Sequence, residues 1–261
     1  MKKTDSGHVK NDAQFGEMVG YTESLGVDYN PANQSIKQDS LVTRKTEMTK
    51  SLDLIDECEA KYKETIRIRQ EDFNKLEDYT SKIVYALSSS DVDVKTVSDA
   101  KSISKKILGS SKPKKKDEPP PENMVATVNS EEPVNETDTE AEIPKISGRS
   151  TAQRSFDRRL GNFKKLVALV SNNSAYQPNE ADLQATSLSV FTVGVSENNT
   201  LAVKTTNLLS DARDARDVLF YNGTNNSYAM VKKVKYYVKS RFDKSSIQAK
   251  TITKFVFAKM A

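Results

Sequence analysis

The chain has 261 residues, 36% of them hydrophobic and 29% charged, with no Trp, 9 Gly, one Cys and one His. That length accommodates two domains of ordinary size, while a lone Cys and a lone His exclude an intrachain disulfide and a Cys/His zinc cluster. The net charge of +4 is unevenly spread: residues 1–116 carry 21 Lys/Arg and 19 Asp/Glu, residues 117–148 one Lys and nine acids, and residues 149–261 18 Lys/Arg and 8 Asp/Glu. An acidic segment thus separates a near-neutral part from a basic one.

Taken in order, residues 1–11 open Met1-Lys-Lys with no apolar run behind them. A secretory leader is not expected, and the segment reads as a disordered tail. The longest apolar run, Leu166-Val-Ala-Leu-Val170, is far too short to cross a bilayer, so a cytoplasmic protein without a membrane span is expected.

Residues 12–109 read as a helical unit with helices near 12–25, 31–72, 75–88 and 96–108. Ile55, Cys58, Tyr62, Ile66, Phe73, Leu76, Tyr79, Ile83 and Leu87 recur at helical spacing. Pro31 suits a first helical position with Asn30 as N-cap and Tyr29 stapling the entrance. A helix over 31–72 would run about 63 Å, against about 30 Å for a compact domain. Long, bent helices are therefore expected.

Residues 110–148 combine Lys112-Pro-Lys-Lys-Lys116, Asp117-Glu-Pro-Pro-Pro-Glu122 and further acids. Such a composition buries too little apolar surface to offset the entropy of ordering, so a disordered acidic Pro-rich linker is expected.

Residues 149–261 repeat the first unit, with helices expected near 152–171, 178–220, 228–242 and 246–259. Phe15, Met18 and Val19 match Phe163, Leu166 and Val167. The stretch Tyr29–Leu41 matches Tyr176–Leu188, and Arg69 and Phe73 match Arg216 and Phe220, all displaced by 147. Beyond this, Tyr79, Ile83 and Leu87 match Val234, Val238 and Phe242 at a displacement of 155, which places a longer loop at Tyr221–Ser227. Ala100–Lys105 matches Ala249–Lys254. Collinear matches over this distance indicate an internal duplication. In repeat two the apolar face of the long helix is expected at Leu201, Leu208, Ala212, Ala215 and Leu219. The fold class expected is all-α: two homologous helical-bundle repeats joined by the linker.

Few residues suggest chemistry. His8 falls in the expected tail, which leaves no base for a His-dependent triad. Cys58 lies on an apolar face and reads as structural. Asp53, Asp56, Glu57 and Glu59 read as a solvated face rather than paired catalytic acids. No phosphate loop, dinucleotide fingerprint or calcium loop occurs. Arg69 and Arg216 hold repeat-equivalent places; they fit either a pair of anion sites or structural anchors. In Val231–Phe242, Lys232, Lys235 and Lys239 form a stripe beside the apolar Val231, Val234, Val238 and Phe242, and Lys233, Tyr236, Arg241 and Lys244 add to it. That stripe could hold nucleic-acid phosphates, contact an acidic protein surface, or simply be a solvated helix face.

Three segments carry a resemblance: Tyr176-Gln-Pro-Asn-Glu180, Ala212-Arg-Asp-Ala-Arg-Asp-Val-Leu-Phe-Tyr221 and Val234-Lys-Tyr-Tyr-Val-Lys-Ser-Arg-Phe242. With them the chain resembles a bacterial family, mostly from the Bacteroidota, of two related helical halves joined by a charged linker. Repeat one departs from the pattern, since Pro31 is followed by Ala-Asn rather than Asn-Glu. The resemblance implies no activity, cofactor or metal. The expectation is a non-catalytic interaction or scaffold protein that binds a protein partner or itself, with nucleic-acid binding by the basic second repeat as the alternative.

Overall fold

The computed structural model describes residues 5–109 and 155–260. The segment expected as a linker, 110–148, lies outside the described residues. Among the described residues the protein is all-α, without a strand. The helices are α1 (Asp5–Ser24), α2 (Gln38–Ser89), α3 (Val94–Leu108), α4 (Phe156–Ser171), α5 (Ala185–Asp217), α6 (Ser227–Arg241) and α7 (Ile247–Lys254). Two 3₁₀ turns, Gly26–Asp28 and Gln34–Ile36, precede α2, and a π turn, Val218–Asn222, ends α5.

Local chemistry sets several helix starts. Asp93, Ser155, Asn226 and Ser246 are N-caps of α3, α4, α6 and α7, each accepting a backbone N–H three residues on.

Two compact units form: residues 1–72 with 197–261, and residues 73–196. These units are not the repeats. Unit 1 joins α1 and the first part of α2, from repeat one, to the last part of α5, α6 and α7, from repeat two. Unit 2 joins α4 and the first part of α5, from repeat two, to the last part of α2 and α3, from repeat one. Each unit therefore combines the leading half of one repeat with the trailing half of the other.

The cores record this exchange. In unit 1, Phe15, Met18, Leu41 and Met48 are buried against Phe220, Met230, Val234, Val238 and Ile252. In unit 2, Phe163, Leu166, Leu188 and Val195 are buried with Phe73, Leu76, Ile83 and Ala100. Thus Phe220 meets Phe15's helix, and its counterpart Phe73 meets Phe163's helix. Within both units α2 and α5 run antiparallel. In unit 1 Thr65 meets Thr205 at 2.7 Å, and Asn198 donates to Asp72 at 2.8 Å. In unit 2 Tyr79 packs edge-on against Phe191 at 4.9 Å.

Several sequence expectations are corrected. Helix α1 starts at Asp5, inside the segment read as a tail, and His8 and Asn11 are buried. Asn11 binds the backbone of Ala258 with both its amide atoms, and this contact over 247 positions orders a polar start that local composition does not explain. Helix α2 is one element of 52 residues, not two. Its residues up to Asp72 belong to unit 1 and those from Phe73 on to unit 2. Helix α5 is one long element, as expected, whereas α7 ends at Lys254 rather than near 259.

Pro31 and Pro178 do not start helices; α2 begins at Gln38 and α5 at Ala185. The tyrosine before each Pro organises a loop instead. Tyr29 is buried and donates its hydroxyl to the Ile36 carbonyl at 2.7 Å, while Tyr176 does the same to Leu183 at 2.9 Å. Each Tyr N–H also donates to the carbonyl three residues back, Gly26 and Asn173. The recurring Tyr-x-Pro stretch is thus a buried-tyrosine loop that occurs once in each unit.

Candidate functional site

The basic stripe lies on α6, whose buried side holds Val231, Val234 and Val238 as expected. Local contacts take up part of its charge. Lys235 donates to the Phe255 carbonyl at 2.5 Å, and burial, then Lys239, lower its ammonium below the ordinary lysine range. Lys233 donates to Asn225 at 3.2 Å, and Arg241 pairs with Asp28 at 3.0 Å. Lys232 sits over the Tyr228 ring, 4.3 Å from its centre. Lys239 and Lys244 are exposed, Lys244 lying beyond the end of α6, and Tyr236, between Lys232 and Lys239, is 70% exposed.

The repeat-equivalent arginines differ. Arg216 is buried in unit 1, its guanidinium paired with Asp217 at 2.9 Å, whereas Arg69 is half-buried. Asp53, Asp56 and Glu57 are exposed. Lys61 bonds Glu57 and lowers its carboxyl below the ordinary range, and Glu59 pairs with Lys63 at 2.9 Å. Cys58 is half-buried beside Ile55, Leu209 and Ala212. Among the described residues no three His, Cys, Asp or Glu side chains cluster as a metal site, and no helix is long and apolar enough to cross a membrane.

Sequence reasoning missed an exposed apolar stripe on α5 in unit 1. In unit 1 the buried residues of α5 are Asn199, Ala202, Thr205, Leu209, Ala212 and Arg216. They do not include Leu201, Leu208 and Ala215, contrary to expectation. Leu201 and Leu208 are 45% and 46% exposed, and Ala215 is exposed as well. These three recur every seven residues, which places them along one side of a helix. Val218 extends the stripe by one turn and is 55% exposed.

The stripe ends in a cleft of about 430 Å³ lined by Ala215, Val218, Leu219, Gly223 and Arg44 among others. The π turn shapes this cleft. Gly223 N–H closes the turn onto the Val218 carbonyl at 2.8 Å, and the Leu219 carbonyl accepts from the Ser227 hydroxyl at 3.1 Å and the Arg44 guanidinium at 3.4 Å. Repeat one has no equivalent turn, because α2 passes the corresponding position without a break. Such π turns often mark functional positions. The signal available in the sequence was the longer loop of repeat two.

Comparison with protein-family models, curated proteins and solved structures found no match.

Proposed function

We propose that this is a non-catalytic, cytoplasmic interaction or scaffold protein that uses helical surfaces to bind a protein partner or itself. The observation that supports it is the Leu201–Leu208–Ala215–Val218 stripe running into the cleft beside the π turn. Apolar side chains at heptad spacing on an exposed helix suit a partner helix laid along them. Lys204 and Asp211 are exposed between them and supply polar contacts that would set register.

The test is a double substitution, Leu201→Asp with Leu208→Asp, compared with the unchanged chain by affinity capture from native lysate and by light scattering. Both residues are nearly half exposed, so helicity is expected to stay constant while captured proteins or self-association are lost. Identical capture and identical mass for the two proteins would contradict the reading.

A second reading is nucleic-acid binding by the basic face of repeat two. Tyr236, exposed between Lys232 and Lys239, supports it, because an aromatic ring beside cations can stack a base. Titration of the full chain with single-stranded DNA and RNA decides it. Binding that falls steeply with salt favours this reading, and absence of binding at low salt removes it.

A further inference from the structure

The two repeats are joined along the chain only through residues 110–154, whereas their contacts involve both cores. In unit 1, α1 of repeat one is held by residues of repeat two. His8 Nδ1 and the Tyr221 hydroxyl share a hydrogen bond of 2.9 Å, that hydroxyl accepts from Asn11 at 2.9 Å, and Asn11 grips Ala258. In unit 2, α4 of repeat two is held by residues of repeat one. Arg159 donates to the Phe73 carbonyl at 3.3 Å and to Glu77, and lies over the Phe73 ring. Each repeat therefore presents an apolar face whose complement is the other repeat, and that complementarity depends on side chains rather than on chain connection.

We infer that these faces also fit a second molecule of this same chain, so that repeat one of one molecule pairs with repeat two of another, and the reverse. Such a dimer re-forms both kinds of unit with the same buried residues and adds no new surface. Its self-complementary symmetry closes at two chains, as in other exchanged dimers. Closure within one molecule competes through the effective concentration set by the connection. The dimer therefore grows with protein concentration during folding. The inference specifies the self-association named in the proposed function and rests on that reading for its biological meaning. Physically it is independent of the Leu201–Leu208 stripe, so either can fail alone.

The test uses the full chain carrying Thr65→Cys, Thr205→Cys and Cys58→Ala. The two threonine hydroxyls are 2.7 Å apart, one on α2 and one on α5, which brings their β-carbons close to disulfide range. The protein is unfolded, refolded at low and at high concentration, and oxidised. Exchange predicts a disulfide-linked dimer that becomes prominent at high concentration, and an intramolecular crosslink at low concentration. An intramolecular crosslink alone at every concentration overturns the inference.

Unsubstituted chains bearing tags of two masses, refolded together and weighed by native mass spectrometry, give an independent readout should the variant not fold. Exchanged dimers persist for hours after dilution, because separation requires unfolding. An absence of mixed dimers, or mixed dimers that dissociate at once on dilution, overturns the inference. The second result would still leave the surface-stripe reading intact.

Discussion

Tyr29 and Tyr176 each close their loop with one hydroxyl donated to a carbonyl seven residues on. Burial, then Glu180 and Asp182, push the Tyr176 phenol up from 10.0 to about 12, and burial, then Tyr237, raise Tyr29 as well. A raised phenol means that the folded state holds its proton more tightly than the unfolded chain. The stabilisation is complete below pH 10 and is lost as pH rises from there toward about 12. At roughly 1.4 kcal/mol per pH unit, Tyr176 accounts for about 3 kcal/mol over that window. Tyr176→Phe is expected to cost about 1 kcal/mol at pH 7 from the lost hydrogen bond and to flatten the alkaline decline. Urea unfolding at pH 7, 10 and 11.5 checks this, and an unchanged alkaline slope would contradict it. The sequence made these tyrosines conspicuous through repetition, but local rules assigned them to helix entrances. The carbonyls they serve lie seven residues away, beyond the reach of capping patterns.

Helices α2 and α5 show what periodicity records and what it omits. Apolar spacing located the buried face of α2 well, with Ile55, Phe73, Leu76, Ile83 and Leu87 all buried. On α5 the same reasoning chose Leu201 and Leu208, one position away from the buried Ala202 and Leu209, because Thr205 and Arg216 occupy the buried face and a count of apolar residues passes over them. The duplication itself held the answer. Ile55, Cys58, Tyr62 and Phe73 displaced by 147 fall on Ala202, Thr205, Leu209 and Phe220.

Glycines separate the π turn from the ordinary helices. A β-carbon at Gly223 would lie 2.9 Å from the Val218 carbonyl oxygen, whereas at Gly161 and Gly194 it would meet nothing within 4 Å. Gly161→Ala and Gly194→Ala should each stabilise by about 0.5–1 kcal/mol, since alanine holds a helix better than glycine. Gly223→Ala should destabilise, because backbone must shift, and should open the turn that shapes the cleft. Thermal melts of the three variants test these signs. A rise in melting temperature for Gly223→Ala would show that the close approach is relieved without cost.

On the scale of the whole molecule, the duplication and the all-α class were legible, because matched residues such as Phe15 with Phe163 and Ala100 with Ala249 are buried in both repeats. The exchange of halves was not legible. A periodic apolar face states that a helix is covered, not which segment covers it, and the repeats are alike enough that a cover from within or from the other repeat leaves the same pattern. The one hint was the helix expected over 31–72, about 63 Å long against about 30 Å for a compact domain. The surface stripe was hidden for the related reason that exposed and buried leucines look alike in sequence.

The central claim is that each compact unit is built from halves of both repeats. The most direct measurement inserts a protease site within residues 110–148, cleaves the purified full chain, and follows the products by size exclusion and circular dichroism. Exchanged halves predict that the two fragments co-elute as a one-to-one complex with undiminished helicity and separate only on denaturation. Two independently folded fragments eluting apart under native conditions would contradict it.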